Sequence, residues 1–439
     1  MTASGCFRDL VSAQKAGTPR GISSVCSANR FVLEAAMEQA AEDGVPVLIE
    51  STVNQVNQFG GYAGMVPSEF RAFVEEVADG VAFPRDRVIC GGDHLGPYPW
   101  RAESASEAMR KSRDLVAASV RAGYAKIHLD ASMSLGGDSV DDRGGLDPRV
   151  VAEREADLAV VAEAEFRELA GGRGSPSPPV YVIGTEVPPP GGIRSGEEAV
   201  PVTRVEDLLE TVSLCREAFR AAGLDDAWAR TCAVVAQPGV EFGDHEVHAY
   251  DRKKASALCR AAHDIPGLVL EGHSTDYQTP THLRQLVEDG VAILKVGPAL
   301  TFALRECFFG LESIEHELLA RRGALRLSSL ADSLDLAMTD DPVHWAGYYA
   351  GDDEGQRIAR RYSFSDRSRY YWHVPAVREA VRVLLDNLAR TEIPLTLLSQ
   401  FLPLQYRRIR ENCIRPEPVA LLRESVRAVL RDYSAAVRA

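Results

Sequence analysis

An acidic residue and a histidine stand side by side at Asp93 and His94, where the apolar run from Val88 to Cys90 gives way to glycine and proline. A neutral imidazole nitrogen can bind a metal ion. A carboxylate beside it can move a proton or hold a substrate hydroxyl. The pair by itself is only moderately specific, so its meaning depends on which other residues meet it in the fold.

Three further apolar runs end in residues of the same kind, namely Asp130, Glu186 and His273. Two imidazoles and several carboxylates suit a divalent ion such as Zn²⁺, Mn²⁺ or Mg²⁺, with positions left open for substrate oxygens. Such an ion polarises a ketose carbonyl and stabilises an enediolate. A single histidine at a strand end is more often structural, but four such ends in one chain favour one shared site.

An amide-rich run follows the second apolar strand and contains Asn54, Gln55, Asn57 and Gln58. Amides donate and accept hydrogen bonds without carrying charge, so they can bind sugar hydroxyls. The alternative is an ordinary polar loop.

Two segments are candidates for holding a phosphate. Lys295 and Gly297 lie where the eighth strand passes into a helix, whose free backbone N–H groups attract anions, and α/β barrels commonly bind phosphate there. Arg361, Arg367 and Arg369 belong to an Arg/Tyr cluster farther along the chain. They would reach the substrate if the tail folded over the site, and otherwise they pair with the acidic surface.

Other histidines carry weaker signals. His128 alternates with Asp130 on one strand and therefore shares its face, either in the core or in support of the site. His245 and His248 have ligand-like spacing on a loop, but solvated loop histidines would look the same.

The composition limits the class of protein. The 439 residues carry a net charge of −14, whereas a duplex nucleic-acid binder needs a basic surface. The eight cysteines include no Cys-x-x-Cys pair, which argues against zinc ribbons and thioredoxin-like chemistry. Neither a signal-peptide core nor an apolar run long enough to cross a bilayer is found. We therefore expect a cytoplasmic protein with no nucleic-acid or membrane partner.

Eight apolar, β-rich runs alternate with helical patterns. The predicted strands are 21–27, 47–52, 87–93, 126–132, 181–186, 232–237, 268–274 and 293–298. Near-continuous apolar strands separated by helices indicate a parallel sheet covered on both faces, and eight such units predict a (β/α)₈ barrel. A doubly wound open sheet is the alternative, but no Gly-x-Gly-x-x-Gly turn follows the first strand.

The loops support the barrel. Long polar loops at 53–66, 133–148 and 187–202 each join a strand to a helix, and such loops build the active face of α/β barrels. After about residue 321 the alternation stops, and helical patterns remain at 325–338, 377–391, 395–406 and 419–437. We predict a barrel over residues 1–322 that carries the site, with a helical extension over 323–439 packed on it.

Several long motifs match a known family. They are GISSVCSANRFVLEAA from Gly21, LIESTVNQVNQFGGYAGM from Leu48, GGDHLGP from Gly91, KIHLDASMS from Lys126, VIGTEVPPPGG from Val182, VVAQPGVEF from Val234, EGHSTDYQT from Glu271, ILKVGPALTFALRE from Ile293 and RYSFSDRSRYYW from Arg361. By these motifs the chain resembles the GatZ/KbaZ-type subunit of class II tagatose-1,6-bisphosphate aldolase. The resemblance implies a TIM barrel, a role in tagatose and galactitol or amino-galactose catabolism, and association with a second aldolase subunit.

A more distant similarity to catalytic class II aldolases assigns roles to the strand-end residues. Those enzymes place Asp-His after strand three, Asp-x-Ser after strand four and His-Gly after strand seven, and this chain has similar residues there. By this resemblance His94 and His273 bind the metal and Asp93 handles the proton. We expect Glu186 to complete the metal shell, and Asp130 and Glu186 to act in catalysis beside Asp93.

Two strands depart from the class II pattern. Gln237-Pro238-Gly239 replaces a metal-binding histidine on strand six, and Gly297-Pro298-Ala299 replaces Asn-Ile-Asp on strand eight. The residues expected to contact substrate, besides those of the amide run and the phosphate segments, are Ser132, Gln237, Ser274 and Asp276.

Two functions from different classes stay open. The first is an enzyme that binds a ketohexose or its phosphate through a divalent ion, with Asp93 or Asp130 deprotonating the C4 hydroxyl. Cleavage of C3–C4 is aldolase chemistry, and re-addition of the rotated aldehyde makes a 4-epimerase. The second is a non-catalytic partner that stabilises a separate class II aldolase subunit. A sugar kinase is disfavoured because the chain has neither a Gly-x-x-x-x-Gly-Lys-Ser/Thr loop nor the protein-kinase motifs, and self-association into a homo-oligomer stays open.

Overall fold

The computed structural model describes residues 2–140, 145–170, 177–184, 201–322 and 325–438. Glu186 lies outside these residues, as do parts of the predicted loops at 133–148 and 187–202. Everything below concerns the described part of the chain.

Eight parallel strands close into a barrel in the order β1-β10-β9-β6-β5-β4-β3-β2. The barrel strands are β1 (Ile22–Cys26), β2 (Val47–Thr52), β3 (Val88–Leu95), β4 (Lys126–Leu129), β5 (Val180–Ile183), β6 (Thr231–Val235), β9 (Val269–Gly272) and β10 (Val291–Val296). A two-stranded hairpin, β7 (Glu241–Phe242) and β8 (Val247–His248), follows β6. The predicted (β/α)₈ barrel is confirmed, and each predicted strand overlaps an observed one.

Helices surround the barrel and continue beyond it. They are α1 (Ala3–Lys15), α2 (Arg30–Asp43), α3 (Pro67–Gly80), α4 (Ala105–Arg121), α5 (Pro148–Leu169), α6 (Val205–Ala221), α7 (Asp225–Trp228), α8 (Arg252–Asp264), α9 (Pro280–Glu288), α10 (Pro298–Leu319), α11 (Leu330–Asp340), α12 (Asp353–Tyr362), α13 (Pro375–Ala389), α14 (Leu395–Phe401), α15 (Pro403–Arg410) and α16 (Pro418–Val437). The predicted helix at 395–406 is two helices, because Pro403 cannot continue the first. None of the described helices combines the length and the apolar character needed to cross a bilayer.

The strands turn apolar side chains outward and several charged ones inward. Ile127 and Leu129 of β4 belong to the core between the strands and the helices, whereas Lys126, which alternates with them, contacts Glu50 of β2 at 2.7 Å. Gly91 of β3 lies between these two strands, and a Cβ there would lie 2.7 Å from Glu50 Oε1. Glycine at this position leaves the space that the ion pair fills.

The first helix closes the amino end of the barrel. Phe7 and Leu10 of α1 are buried in a cluster with Ile22, Leu48 and Ile89 from the first three strands. This apolar plug leaves the carboxyl end of the strands as the open end. The sequence did not lead us to expect a helix here.

The last helix packs within the outer ring rather than on its surface. α16 packs against α2, α9 and α10. Arg423 pairs with Glu34 at 2.7 Å, and the Gly21 N–H just before β1 donates to the Val437 carbonyl at 2.9 Å. The proposed division at residue 322 therefore separates two stretches of sequence that share one packed structure.

Candidate active site

A bend at the end of β3 brings Asp93 and His94 into the mouth of the barrel. The pairing of β3 with β4 shifts register between Gly92 and Leu95, and His94 has a left-handed backbone with φ of 51°. Non-glycine residues in this conformation are uncommon and cluster at functional sites. Both side chains are nearly fully buried, and both line a cavity of about 90 Å³ at the carboxyl ends of the strands.

His94 is held by the carboxylate at the end of β4. Its Nδ1 lies 2.7 Å from Asp130 Oδ2, and Ser132 Oγ donates to Asp130 Oδ1 at 2.6 Å. Burial lowers the pKa of His94, but Asp93 and Asp130 outweigh it and raise the pKa above its usual value. Burial opposes ionisation of Asp130, yet the hydrogen bond from His94 lowers its pKa below the usual range. The His94 Nε2 atom makes no hydrogen bond to a described residue.

His273 is held in the same way from the opposite side of the mouth. Its Nε2 lies 3.1 Å from Glu271 Oε1, and burial lowers its pKa to about 4, so the ring is neutral at physiological pH. A neutral ring whose Nε2–H donates to Glu271 carries its lone pair on Nδ1. The rings of His94 and His273 are 4.9 Å apart between centroids and nearly perpendicular.

His128 completes a triangle of imidazoles below the cavity. Its ring centroid is 5.1 Å from that of His94 and 5.3 Å from that of His273. The Nδ1 atom lies 2.9 Å from Asp93 Oδ1, while Nε2 is buried with no hydrogen-bond partner among the described residues. The His94 backbone N–H also donates to Nδ1 at 3.2 Å, and a buried polar atom without a partner costs about 1–3 kcal/mol.

Two buried lysines neutralise the carboxylates beneath the histidines. Lys126 Nζ lies 2.7 Å from Glu50 Oε1 and 2.8 Å from Glu271 Oε2. Lys295 Nζ lies 2.8 Å from Asp93 Oδ1 and also contacts Glu50. Burial disfavours both ammonium ions, but the carboxylates outweigh it and raise the pKa of both lysines. Burial opposes ionisation of Asp93 as well, yet His94 and Lys295 lower its pKa well below the usual value.

The donor set fits a divalent cation. One ligand atom from each of Asp93, His128, Glu271 and His273 lies within 4.8 Å of the others. Lys126 and Lys295 already occupy carboxylates of that group. The better place for an ion is therefore beside His94 and His273, which line the cavity and each have one ring nitrogen held by a carboxylate. Four carboxylates against two ammonium ions leave a formal charge of −2 with neutral histidines, and a divalent ion would cancel it. The groups counted are Glu50, Asp93, Asp130, Glu271, Lys126 and Lys295.

Most of the residues that sequence reasoning placed at the site do line the cavity. These are Asn54, Gln55, Asp93, His94, His273, Ser274, Asp276, Lys295 and Gly297. They come from the ends of β2, β3, β9 and β10, which the closed barrel brings to one face. Asp130 stands behind His94 and holds it.

Other predicted residues support loops instead of lining the described cavity. Asn57 donates to the Val53 carbonyl at 3.0 Å, and Gln58 donates to the Lys111 carbonyl at 2.9 Å. Gln237 Oε1 accepts the Gly239 and Val240 N–H groups at 2.7 and 2.9 Å. Ser132 acts through Asp130, as described above. Polar side chains in turns commonly satisfy nearby backbone groups in this way.

The arginines of the Arg/Tyr cluster divide by position. Arg361 pairs with Asp332 at 2.5 Å and Arg367 donates to the His344 carbonyl at 2.9 Å, so both act within the helical extension. Arg369 and the neighbouring Tyr370 are the members that line the cavity. The short helical turn that carries them lies over the mouth.

Glu186 lies outside the described residues, so the structure does not place the expected third ligand. His245 is exposed, and His248 is half-buried with its Nε2 4.0 Å from Glu246. Neither belongs to the four-residue cluster.

Sequence reasoning missed Glu271 and Lys126 as members of the site. Each is a charged residue inside an otherwise apolar strand, and buried charges occur almost only in pairs. That rule could have paired Lys126 and Lys295 with Glu50 and Glu271 before the fold was known. Tyr62, which also lines the cavity, carried no comparable signal.

A family model and a solved structure match the chain over nearly its whole length. The family described as D-tagatose-1,6-bisphosphate aldolase subunit GatZ/KbaZ-like matches residues 7–438. The crystal structure of a probable tagatose 6 phosphate kinase from Sinorhizobium meliloti 1021 is 46% identical, with a TM-score of 0.86 over 95% of this chain and 100% of that chain. Two aldolases are far more distant: YdjI from Escherichia coli K12 (11% identity, TM-score 0.40, 87% of this chain and 97% of that one) and fructose-bisphosphate aldolase from Campylobacter jejuni (13%, 0.42, 88% and 93%).

Proposed function

The chain belongs to the GatZ/KbaZ-like family of D-tagatose-1,6-bisphosphate aldolase subunits, and we propose that it is itself an enzyme. Its reaction is metal-dependent C3–C4 aldol or C4-epimerase chemistry on a ketohexose. One observation carries the proposal: His94 and His273 each have one nitrogen held by a buried carboxylate and line one cavity. A chain that only stabilised a partner would gain nothing from buried charges at a cavity, because desolvating them is costly.

His94 and His273 would hold a divalent ion through their free nitrogens, with Glu186 as the third ligand. When bound, the ion would polarise the ketose carbonyl and lower the charge that builds up on its oxygen. Asp130 and Glu271 fix the two rings, and such carboxylate–histidine pairs set ring orientation at metal sites.

Asp93 is the proposed proton acceptor for the C4 hydroxyl. Its lowered pKa keeps it ionised at neutral pH, which is the state that a base requires. Lys295 and His128 both contact Oδ1, while Oδ2 lies 3.7 Å from His94 Nε2 and 4.0 Å from Cys26 Sγ, so Oδ2 is the proposed acceptor. Loss of the C4 hydroxyl proton starts C3–C4 cleavage, and return of the aldehyde by its other face completes an epimerisation.

A kinase activity is not part of the proposal, although the structure that is 46% identical carries that word in its description. The chain has no Gly-x-x-x-x-Gly-Lys-Ser/Thr loop to cradle a nucleotide. The family description does name a subunit, so a supporting role towards a separate class II aldolase is the alternative that the experiment must separate.

Turnover by the purified chain alone tests the proposal. The protein is dialysed against a chelator, supplied with Mn²⁺, Zn²⁺ or Mg²⁺, and given tagatose 1,6-bisphosphate, fructose 6-phosphate or free tagatose. His94→Ala, His273→Ala and Glu186→Gln are compared with His245→Ala, a matched control because His245 is exposed and outside the cluster. Bound metal is measured in each variant together with activity.

Metal-dependent conversion that the three site variants lose and His245→Ala keeps is the expected result. The product distinguishes triose formation from a 4-epimer. Failure of every substrate with every metal, together with stabilisation of an added aldolase subunit, would leave the partner role in its place.

A further inference from the structure

The cavity beside the two histidines is too small to hold a whole sugar phosphate. Its volume is about 90 Å³, whereas pockets for small-molecule ligands measure about 300–1,000 Å³. A second cavity of about 590 Å³ adjoins it. The residues that line both are Cys26, Gln55, Tyr62 and Arg369. A ketose whose carbonyl lies beside His94 and His273 therefore extends past these shared residues into the second cavity.

The second cavity is lined by positive charge in an otherwise acidic protein. The chain carries a net charge of −14, yet no aspartate or glutamate is among the described residues that line this cavity. Its charged and titratable lining residues are Arg30, Arg369, Arg378, Arg382 and His373. Arg30 and Arg382 pair with glutamates or aspartates outside the lining. A cleft lined by charges of one sign attracts ions of the other sign, so this cavity favours an anion.

Arg369 lies where the two cavities meet, and it has no ion-pair partner among the described residues. Its hydrogen bonds go to neutral oxygens, which are the carbonyls of Ser365 and Asp366 and, at 2.9 Å, the hydroxyl of Tyr370. The Nε–H and the second Nη2–H have no acceptor in the described part of the chain. A guanidinium binds phosphate oxygens through such neighbouring N–H groups.

Asp276 lines the mouth of the barrel without pairing with Arg369. Its Oδ1 accepts the backbone N–H groups of Gly297 at 3.0 Å and Ala299 at 2.8 Å. These bonds hold the carboxylate at the start of α10. The guanidinium of Arg369 is therefore left for a group that enters from the second cavity.

Two further features of the second cavity suit an anion. The Trp372 ring stacks on Phe308 with 5.1 Å between centroids, and its Nε1 is buried with no hydrogen-bond partner among the described residues. An indole N–H only donates, and a buried donor without an acceptor is unfavourable, so a ligand oxygen here would satisfy it. The amino end of α2, from Asn29 to Phe31, also lines the cavity, and helix N-termini attract anions.

We propose that the second cavity is the subsite for a phosphate on the sugar terminus remote from the carbonyl, with Arg369 and Trp372 donating to its oxygens. The inference rests on the proposed function, since the first cavity would bind the rest of the ketose. C1 is bonded to the carbonyl carbon and stays beside the histidines, whereas C6 is the end that reaches the second cavity. The substrate class is a ketohexose 6-phosphate, and a second phosphate at C1 is compatible with it.

Substitutions of the lining donors test this subsite. Arg369→Gln removes the charge, and Trp372→Phe removes the N–H while it keeps a stacked ring. Arg378→Gln removes a lining arginine that is exposed and has no described ion-pair partner, so this variant keeps the fold. The matched control is Arg357→Gln, because Arg357 pairs with Glu354 at 2.7 Å on α12 and is not among the described residues that line either cavity.

Calorimetry measures the binding of inorganic phosphate, free tagatose, tagatose 1-phosphate and tagatose 6-phosphate, after circular dichroism has shown that each variant folds. Turnover gives KM and kcat for free tagatose and for the 6-phosphate. We expect Arg369→Gln to weaken the binding of phosphate and of tagatose 6-phosphate by about ten- to a hundredfold, the range for a lost hydrogen bond to a charged group. Its binding of free tagatose should be unchanged. Trp372→Phe and Arg378→Gln should shift in the same direction by smaller factors, and Arg357→Gln should match the wild type.

Equal weakening of free tagatose and tagatose 6-phosphate in Arg369→Gln would overturn the inference, because a structural role would affect both sugars. So would a wild type that binds tagatose 6-phosphate no more tightly than free tagatose, or an Arg369→Gln variant that loses affinity for the 1-phosphate instead of the 6-phosphate. Should Arg369→Gln not fold, Trp372→Phe and Arg378→Gln decide by the same criteria. If the wild type turns over no sugar, the proposed function fails, but the binding measurements still decide the subsite, so the two failures are distinguishable.

Discussion

Replacing Glu50 by glutamine tests whether the ionic network beneath the site holds the barrel together. Glu50 is fully buried. Its Oε2 accepts from Ser24 Oγ at 2.5 Å and also contacts Lys295, while its Oε1 accepts from Lys126 Nζ at 2.7 Å. Glutamine keeps the shape but leaves two buried ammonium ions with fewer counter-charges. Removing one partner of a buried ion pair costs about 3–5 kcal/mol, so we expect Glu50→Gln to lower the free energy of unfolding by that amount.

The matched control is Glu107→Gln. Glu107 pairs with Arg110 at 3.1 Å, but both side chains are more than half exposed, and such pairs contribute about 0–1 kcal/mol. Equilibrium unfolding in urea is followed by tryptophan fluorescence and by circular dichroism, whose transitions must coincide for the free energies to be comparable. The double variant Glu50→Gln with Lys126→Met removes one charge of each sign and should recover part of the loss.

A free energy for Glu50→Gln within about 1 kcal/mol of the wild type would refute the reasoning. So would equal losses in Glu50→Gln and Glu107→Gln. Either result would mean that water or rearranged partners compensate the lysines.

Three further predictions concern the mouth and the elements around it. Tyr433→Phe should lower the free energy of unfolding by about 1–3 kcal/mol, because it leaves the buried Thr275 carbonyl without the Tyr433 hydroxyl that donates to it at 2.8 Å. Urea unfolding measures this free energy, and an unchanged value would mean that the hydrogen bond does not stabilise the fold. Gly96→Ala should abolish activity or folding, since a Cβ there would lie 1.7 Å from the Asp130 carbonyl oxygen, and an active, stable variant would contradict the backbone described. Burial, with help from Arg367 and Arg369, lowers the pKa of His344 below 6.5 in the folded state. The unfolded chain therefore binds a proton at this histidine more readily than the folded one. The stability that neutral His344 provides is present above pH 6.5 and is lost as the pH falls through the folded pKa. Thermal unfolding is measured between about pH 7.5 and 5. The melting temperature should fall less over this range in His344→Phe than in the wild type, and parallel curves of melting temperature against pH would contradict the prediction.

The sequence predicted the barrel well because its strands are apolar runs that alternate with amphipathic helices, and this pattern is local. Asp93, His94 and His273 were found because polar residues at the ends of apolar strands stand out. Glu271 was not, because a charge within a strand gains meaning only when its partner on another strand is known.

The arginines of the Arg/Tyr cluster show a second limit of prediction from sequence. Composition singled out Arg361, Arg367 and Arg369 equally, yet Arg361 and Arg367 bond within the extension while Arg369 lines the cavity. Which residue of a basic cluster faces a site depends on the path of the backbone, and periodicity does not reveal it. Asp276 was expected to contact substrate, but its bonds to the α10 amides depend on a turn that only the structure shows.

The place of α16 in the outer ring has a consequence for how the protein is made. α16 packs on α2, the helix that follows β1, and its Val437 carbonyl accepts the N–H of Gly21. A ribosome therefore delivers all eight strands before it delivers the helix that covers the seam between the first and the last of them. Domains generally fold as units during synthesis. This unit stays incomplete until α16, which ends at Val437, has been made. Shortening the chain by its last helix would thus resemble removing part of the core, and the nascent barrel would expose an apolar seam to chaperones from the completion of β10 until α16 is made.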